Sequence, residues 1–106
     1  LDNSHLIKLG KYILHADHAT LKNQEDDTEK MLTAREAKIL ELLAVNKNDV
    51  VRREAVLSRF WGVEDKDYFA SRSLDVFIKK IRTAIEDEPS VELKTIRGIG
   101  FKLIVE

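Results

Sequence analysis

The sequence predicts an α+β domain that opens with a small antiparallel sheet, continues with three helices and closes with a β-hairpin. Residues 1–32 and 91–105 show the loose alternation of apolar and polar residues that is typical of short strands. Between them, residues 33–88 carry apolar residues at the three- and four-residue spacing of amphipathic helices. A single domain with two strand-rich ends and a helical middle accounts for the whole chain.

Length and composition fit one globular domain. The chain has 106 residues, of which 43% are hydrophobic and 35% charged, and this is enough for one modest core. Cysteine is absent, which excludes disulfides and cysteine-ligated zinc, and no apolar run is long enough to span a membrane. We therefore expect a cytoplasmic domain without a cofactor. Because the chain starts at Leu1 and its only methionine is Met31, we expect it to be either part of a longer polypeptide or a processed chain.

The N-terminal strands are separated by predicted turns at Gly10 and near Ala16. The acidic stretch 23–30 is a predicted exposed hairpin loop, closed by a brief strand near residues 30–32. His15 and His18 are three residues apart; on a strand they would lie on opposite faces, which makes them a poor metal pair. We expect them to be ordinary surface or turn residues.

The first two helices have clear ends in the sequence. Thr33 and Glu36 form the pattern of a capping box, so the first helix begins there and ends in the segment 46–49. The second helix spans residues 52–62, with Gly62 as its C-terminal stop. Its apolar residues include Trp61, which we expect in the core.

The third predicted helix, residues 71–88, is followed by Pro89 and has two unlike sides. At about 100° per residue, its apolar residues fall on one side. The opposite side and its flanks carry Arg72, Asp75, Val76, Lys79, Lys80, Arg82 and Thr83. Although the net charge is −1, residues 71–82 carry four bases and one acid, while residues 23–30 carry four acids and one base. The outward side is therefore either an ordinary solvated surface or a surface built to contact something negative.

A β-hairpin follows Pro89. Its strands are joined by the segment 97–100, in which Gly98 and Gly100 permit positive φ in a tight turn. Val50 and Val51 form a further possible strand. Three helices followed by a hairpin is the order of a winged helix-turn-helix, in which the third helix enters the major groove of DNA and the hairpin reaches the adjacent backbone or minor groove.

This order gives the outward side of the third helix a function. Its cations would neutralise phosphates or read guanine edges, and Thr83 would bond a phosphate. Val76 has no evident place in the core and suits contact with a thymine methyl group, although an exposed valine is also common on ordinary surfaces.

Four segments resemble the OmpR/PhoB-type effector domain of bacterial response regulators in order and spacing. They are LTAREAKILELL, VVRREAVLSRFWG, RSLDVFIKKIRTAIE and TIRGIGFKL. The last two are specific in combination, and the resemblance covers nearly the whole chain, from about His5 to Val105. It implies a winged helix-turn-helix with a four-stranded N-terminal antiparallel sheet, a three-helix core and a C-terminal wing. It further implies promoter DNA binding as dimers on tandem repeats, contact with RNA polymerase, and a phosphorylated receiver domain that lies outside this chain.

The resemblance also assigns roles to residues. Phosphates or base edges would be contacted by Arg72, Lys79, Lys80 and Arg82, while Val76 would face a thymine methyl. Thr95 and Arg97 would serve the wing, with Arg97 at the minor groove. Asp75 would pair with a neighbouring arginine. The loop Val63–Ala70 would face the polymerase.

The chain departs from the family pattern at several positions, and these departures blur its DNA sequence preference. Phe77 replaces a histidine that often contacts phosphate, and its helical angle predicts that it packs inward. Arg52 replaces a serine that would cap the second helix, and Phe101 replaces a tyrosine. The acidic loop is also longer than the common turn.

Two alternatives remain. A winged helix that binds a protein fits the net charge of −1, and would show no binding to random duplex at low salt. An enzyme would need a clustered polar constellation, which cannot be assembled from these residues. The segment 97–100 is not a phosphate-binding loop, because it joins two strands and no helix follows it.

Overall fold

The computed structural model describes residues 6–63 and 67–106, and it has the predicted order of elements. The N-terminal sheet consists of four antiparallel strands in the order β1-β2-β3-β4. Their bounds are β1 Leu6–Leu9, β2 Tyr12–His15, β3 Thr20–Asn23 and β4 Glu29–Met31. The acidic loop connects β3 to β4, as predicted.

Three helices follow, with α1 at Ala34–Val45, α2 at Arg53–Trp61 and α3 at Tyr68–Ile85. The capping box is confirmed: the Thr33 hydroxyl accepts from the Glu36 N–H at 3.1 Å, and the Glu36 carboxylate accepts from the Thr33 N–H at 2.9 Å. Gly62 ends α2 in the left-handed conformation at φ 66°. Arg52 precedes α2 without a side-chain cap, as its replacement of serine predicts.

The C-terminal sheet contains β5 Val50–Arg52, β6 Val91–Ile96 and β7 Gly100–Val105 in the order β5-β7-β6. The wing is the β6–β7 hairpin, and the possible strand at Val50 and Val51 is confirmed as the third member of its sheet. Helix α1 contacts both sheets and the other two helices, so one core joins the two ends of the domain. Its fully buried side chains include Tyr12, Leu14, Leu40, Leu57, Leu74, Ile81 and Phe101.

Helix α3 differs from its predicted bounds at both ends. It begins at Tyr68 and ends at Ile85, whereas the prediction was 71–88. Asp67 explains the earlier start, because its carboxylate accepts from the Ala70 N–H at 2.9 Å and caps the helix. The last three predicted residues, 86–88, form the turn into β6.

Two local predictions are wrong. Residues Ala16–His18 form a 3-10 helix, in which side chains three apart lie nearly above one another; the rings of His15 and His18 therefore lie 3.7 Å apart and not on opposite faces. Gly98 has φ 78° in the wing turn, but Gly100 does not have positive φ. Gly100 is needed for another reason, because an added Cβ would collide with the backbone of β5. Within residues 6–63 and 67–106, no helix is long and apolar enough to cross a membrane.

Candidate nucleic-acid interface

Helix α3 is anchored to the body of the domain by one apolar side. Leu74, Ile78, Ile81 and Ile85 are all buried. Phe77 is half-buried and packs against Trp61, with ring centroids 5.7 Å apart. The inward orientation of Phe77 is thus confirmed, and so is the placement of Trp61 against the core.

The opposite side of α3 is open to solvent. The six predicted contact residues on this helix are all exposed: Arg72, Val76, Lys79, Lys80, Arg82 and Thr83. Val76 is 53% exposed, a high value for an apolar side chain in the middle of an otherwise well-packed helix. We call this side, defined by those six residues, the outer face of α3. It contains four cations, and each of them is exposed in the part of the chain that the structure describes.

The cations of the outer face differ in how firmly they are held. Arg72 donates from Nη1 to the Tyr68 hydroxyl at 2.9 Å, so its guanidinium is directed along the helix. In the described part of the chain, the ammonium groups of Lys79 and Lys80 have no hydrogen bond or ion pair. They are free to bind an external anion. The Thr83 hydroxyl donates to the backbone carbonyl of Lys79 at 3.0 Å, and it would have to release this bond to donate to a phosphate.

The one acid on this side is neutralised from a neighbouring helix. Asp75 lies 2.8 Å from Nη1 of Arg53, at the start of α2. Arg53 also donates from Nη2 to the backbone carbonyl of Ser71 at 2.8 Å, so it bonds to α3 at two positions. The expected pairing of Asp75 with a neighbouring arginine is confirmed. Because of this pair, the outer face presents its positive charge without a free competing carboxylate.

The wing carries the other two predicted residues. Thr95 and Arg97 are both exposed, and Arg97 begins the turn that Gly98 makes possible. In the described residues, the Arg97 guanidinium has no partner. Ile99, 45% exposed, follows in the same turn. The tip of the wing is thus a cation and an apolar side chain on a short, well-defined hairpin.

The outer face and the wing are joined by Arg82. Its Nε donates to the Leu93 carbonyl at 3.1 Å, and its Nη2 donates to the Thr95 hydroxyl at 2.8 Å. Sequence reasoning placed Arg82 and Thr95 on one binding surface but did not anticipate this contact, since the two residues are thirteen positions apart. All eight predicted residues are thus exposed, and Arg82 connects the outer face of α3 to the wing strand.

Sequence reasoning placed two aromatic residues in a loop, whereas the structure places them, exposed, at the start of α3. Tyr68 and Phe69 are 63% and 82% exposed, and their rings lie 5.7 Å apart in an edge-to-face arrangement. They were assigned to the loop 63–70, of which residues 64–66 lie outside the described residues. Asp67, a strong N-cap residue type, was the signal that could have placed them on the helix.

Other chemistry in the described residues is sparse. Within 6–63 and 67–106, no group of three or more histidine, aspartate or glutamate side chains could hold a metal ion. The same part of the chain contains no buried side-chain polar atom without a hydrogen-bond partner. The exposed cationic region is therefore the strongest candidate site, and together with the fold it defines a winged-helix DNA-binding domain.

Comparison with known proteins leads to the same class. Residues 27–103 match the family described as "Transcriptional regulatory protein, C terminal". The transcriptional regulatory protein RprY of Bacteroides fragilis is 35% identical over 101 residues, which are 95% of this chain and 41% of that protein. The sensory transduction protein RegX3 of Mycobacterium leprae is 40% identical over 75 residues, covering 68% of this chain and 36% of that protein. The chain thus spans less than half the length of these relatives.

Solved structures show the same fold. The response regulator DrrB of Thermotoga maritima, an OmpR/PhoB homologue, matches with a TM-score of 0.74 and 33% identity over 94% of this chain and 44% of that chain. The DNA-binding domain of Escherichia coli CpxR matches with a TM-score of 0.80 and 23% identity over 96% of this chain and 98% of that chain. The chain belongs to the OmpR/PhoB family of response-regulator DNA-binding effector domains. The family and fold predicted from the sequence are confirmed.

Proposed function

We propose that this domain binds promoter DNA sequence-specifically, with α3 in the major groove and the wing turn at the adjacent minor groove. The observation that carries the proposal is that the outer face of α3 and the wing turn are both exposed, and that Arg82 connects α3 to the strand leading into this turn. The cations of α3 would contact phosphates or guanine edges, and Val76 would contact a thymine methyl group. A related fold supports binding to DNA. The RstA DNA-binding domain of Klebsiella pneumoniae was crystallised in complex with the RstA box; it is 22% identical, with a TM-score of 0.74 over 93% of this chain and 96% of that chain.

The protein's role in regulation would depend on parts beyond this domain. Since the chain covers 41% of the length of RprY, a receiver domain elsewhere in the polypeptide would carry the regulatory phosphorylation. We infer that the full-length protein binds tandem DNA repeats as a dimer and that it acts in the cytoplasm without catalysis of its own. The residues proposed for this domain position it on DNA and need no cofactor.

The segment 63–70 is proposed to contact RNA polymerase. In its described part, Tyr68 and Phe69 present two aromatic rings to solvent next to the outer face of α3. Exposed aromatic side chains are enriched at protein–protein interfaces, because they bury a large apolar area at low entropic cost. This position would let the domain contact DNA and a protein at the same time.

A salt titration with the Arg72→Ala variant tests the phosphate contacts. Each phosphate contact that is lost should flatten the plot of log affinity against log salt concentration by roughly 0.9. We expect Arg72→Ala to bind more weakly than the parent to operator and random duplex alike, with this smaller slope, by fluorescence anisotropy. If Arg72→Ala keeps the affinity and the salt slope of the parent, Arg72 is not part of the interface. A parent domain that binds no duplex at low salt would favour the protein-binding alternative.

Val76→Ala is the matched test of base reading, because the substitution leaves the charge unchanged. Loss of an apolar contact with a thymine methyl should cost about 1 kcal/mol at one base pair and leave binding to random duplex unchanged. Binding-site selection from randomised duplexes with parent and variant would show relaxed preference at a single position. An equal loss on every sequence would contradict the assigned contact.

A further inference from the structure

Arg82 connects α3 to the strand that leads into the wing turn. Its guanidinium donates through two different nitrogens to two acceptors in β6, the Leu93 carbonyl at 3.1 Å and the Thr95 hydroxyl at 2.8 Å. Strand β6 lies at the edge of its sheet, and among the described residues it has a strand partner on one side only. Arg82 therefore holds an edge strand from the side that lacks a neighbouring strand.

The position of these bonds matters for the wing tip. Arg97 lies two residues beyond Thr95, which corresponds to roughly 7 Å along an extended strand. The far side of the turn is fixed separately, because the Ile99 carbonyl accepts from the Arg53 N–H at 3.0 Å. On the β6 side, the pairing of Ile96 with Gly100 holds the turn to β7, and Arg82 holds the same strand to α3. A guanidinium is planar and rigid, so two bonds to one strand fix its direction as well as its distance.

We propose that Arg82 is a positioning residue, which holds the wing turn at a fixed angle to α3 so that Arg97 and the outer face of α3 reach the same duplex. This inference rests on the proposed DNA-binding function and changes the role assigned to Arg82 within it. A plain phosphate contact would contribute independently of the wing. A positioning role means that loss of Arg82 also removes most of the contribution of Arg97.

Hydrogen exchange on the free domain tests whether Arg82 holds the turn. The Ile99 N–H donates to the Ile96 carbonyl at 2.9 Å, and its exchange rate reports opening of the wing turn. Arg82→Gln should speed this exchange roughly fivefold or more, since both bonds from the charged group are lost. Thr95→Val, which keeps the Arg82 charge, should change it in the same direction by a smaller factor. Lys79→Gln is the matched control, because it removes a cation from the same helix face without a contact to the wing, and its Ile99 exchange should equal that of the parent.

A double-mutant cycle on DNA tests the consequence of this contact. We expect Arg97→Ala to weaken operator binding in the parent and to have little further effect in the Arg82→Gln background, as measured by fluorescence anisotropy. Lys79→Gln and Arg97→Ala should instead combine as independent factors. If the fold-losses in affinity of Arg82→Gln and Arg97→Ala simply multiply in the double variant, the positioning role is overturned. It is also overturned if the Ile99 amide exchanges at the parental rate in both Arg82→Gln and Thr95→Val.

The two proposals fail in different ways. Parental affinity of Arg97→Ala would overturn the positioning role, because there would be no wing contact to position. If the parent itself fails to bind duplex, the proposed function fails, whereas the exchange measurements on the free domain still decide whether Arg82 holds the turn.

Discussion

Gly100 marks the closest approach between the wing and the rest of the domain. A Cβ at this position would collide with the Val51 carbonyl oxygen and would lie 2.9 Å from the Arg52 Cα. Both atoms belong to the backbone of β5, which pairs with β7 at this point, so neither can move without disturbing the sheet. The requirement for glycine here is one of space between strands and not of backbone conformation.

Gly100→Ala should therefore destabilise the domain. Forcing a methyl group into a packed contact costs about 1–3 kcal/mol, and urea unfolding monitored by circular dichroism would measure it. The control is Lys94→Ala, an exposed substitution in the same sheet, which should change the unfolding free energy by less than about 0.5 kcal/mol. Parental stability of Gly100→Ala would mean that β5 and β7 can separate freely.

Single residues also show how far sequence reasoning reaches. Val76 and Lys79 were placed outward, and Phe77 and Ile78 inward, because helical periodicity is a local property that the sequence states directly. The bond between Arg82 and Thr95 depends on how α3 packs against β6, and no local pattern encodes that packing. The predicted residues were thus placed together on one surface, while the contact that joins them was not foreseen.

At the scale of elements, the N-terminal sheet is fastened to the turn that follows α3. The Tyr12 hydroxyl donates to the Asp87 carboxylate at 2.8 Å, and the ammonium groups of Lys11 and Lys30 each lie 3.5 Å from it. The Glu88 carboxylate accepts from the Lys11 N–H at 2.8 Å. This set of contacts joins β2 and its neighbours to the end of the helix proposed to enter the groove.

These contacts favour the ionised carboxylates. The Tyr12 hydroxyl, together with the nearby lysines, lowers the pKa of Asp87 below its usual value of 3.8. The Lys11 N–H and the backbone and hydroxyl of Ser90 lower the pKa of Glu88 below its usual value of 4.5. An acidic group whose pKa is lowered on folding stabilises the folded state at pH values above its usual pKa. This stabilisation is lost as the pH falls through the pKa that the group has in the folded state. We therefore expect the attachment to weaken in acid.

Asp87→Asn should lower the melting temperature by a few degrees at pH 7 and should make it less sensitive to pH between about 5 and 3. The side chain of Asp87 is half exposed, so the effect should be modest. Thermal unfolding followed across this pH range would measure both changes. Asp49→Asn, at an exposed carboxylate in a different loop, is the control and should keep the parental pH dependence. If the melting temperature of Asp87→Asn changed with pH in the same way as that of the parent, the role of this carboxylate would be contradicted.

The elements also show which boundaries a sequence encodes. The start of α1 was predicted to the residue, because Thr33 and Glu36 form a reciprocal pair visible in the sequence. The start of α3 was predicted three residues late, because Asp67 caps alone and follows a polar stretch that resembles a loop. The predicted placement of His15 and His18 on opposite faces was wrong for a related reason. A single 3-10 turn within a strand-rich segment has no distinct periodic pattern in the sequence.

For the whole molecule, net charge is a poor guide to function. The value of −1 combines acids in the β3–β4 loop with cations on α3 and the wing, which belong to different parts of the fold. Within the acidic loop, Asp27 pairs with Lys22 at 3.0 Å, and Asp26 bonds the backbone and hydroxyl of Thr28. Two of the four acids in the stretch 23–30 are thus engaged locally. The distribution of charge over the fold, and not its sum, supports nucleic acid as the partner.

A single domain presents one helix that is proposed to enter the groove and one wing, and this would limit the length of DNA that one copy can read. Two copies facing the same side of a duplex would need half-sites about 10–11 bp apart, one helical turn. We expect a duplex with two selected half-sites at this spacing to bind two copies more tightly than a duplex in which about 5 bp are inserted between them. The insertion rotates the second site to the opposite side of the duplex. Electrophoretic mobility shifts with both duplexes, and with a single half-site as the control, would measure the difference. Equal affinity at both spacings would show that the copies bind independently, and any dimerisation would then have to arise outside this domain.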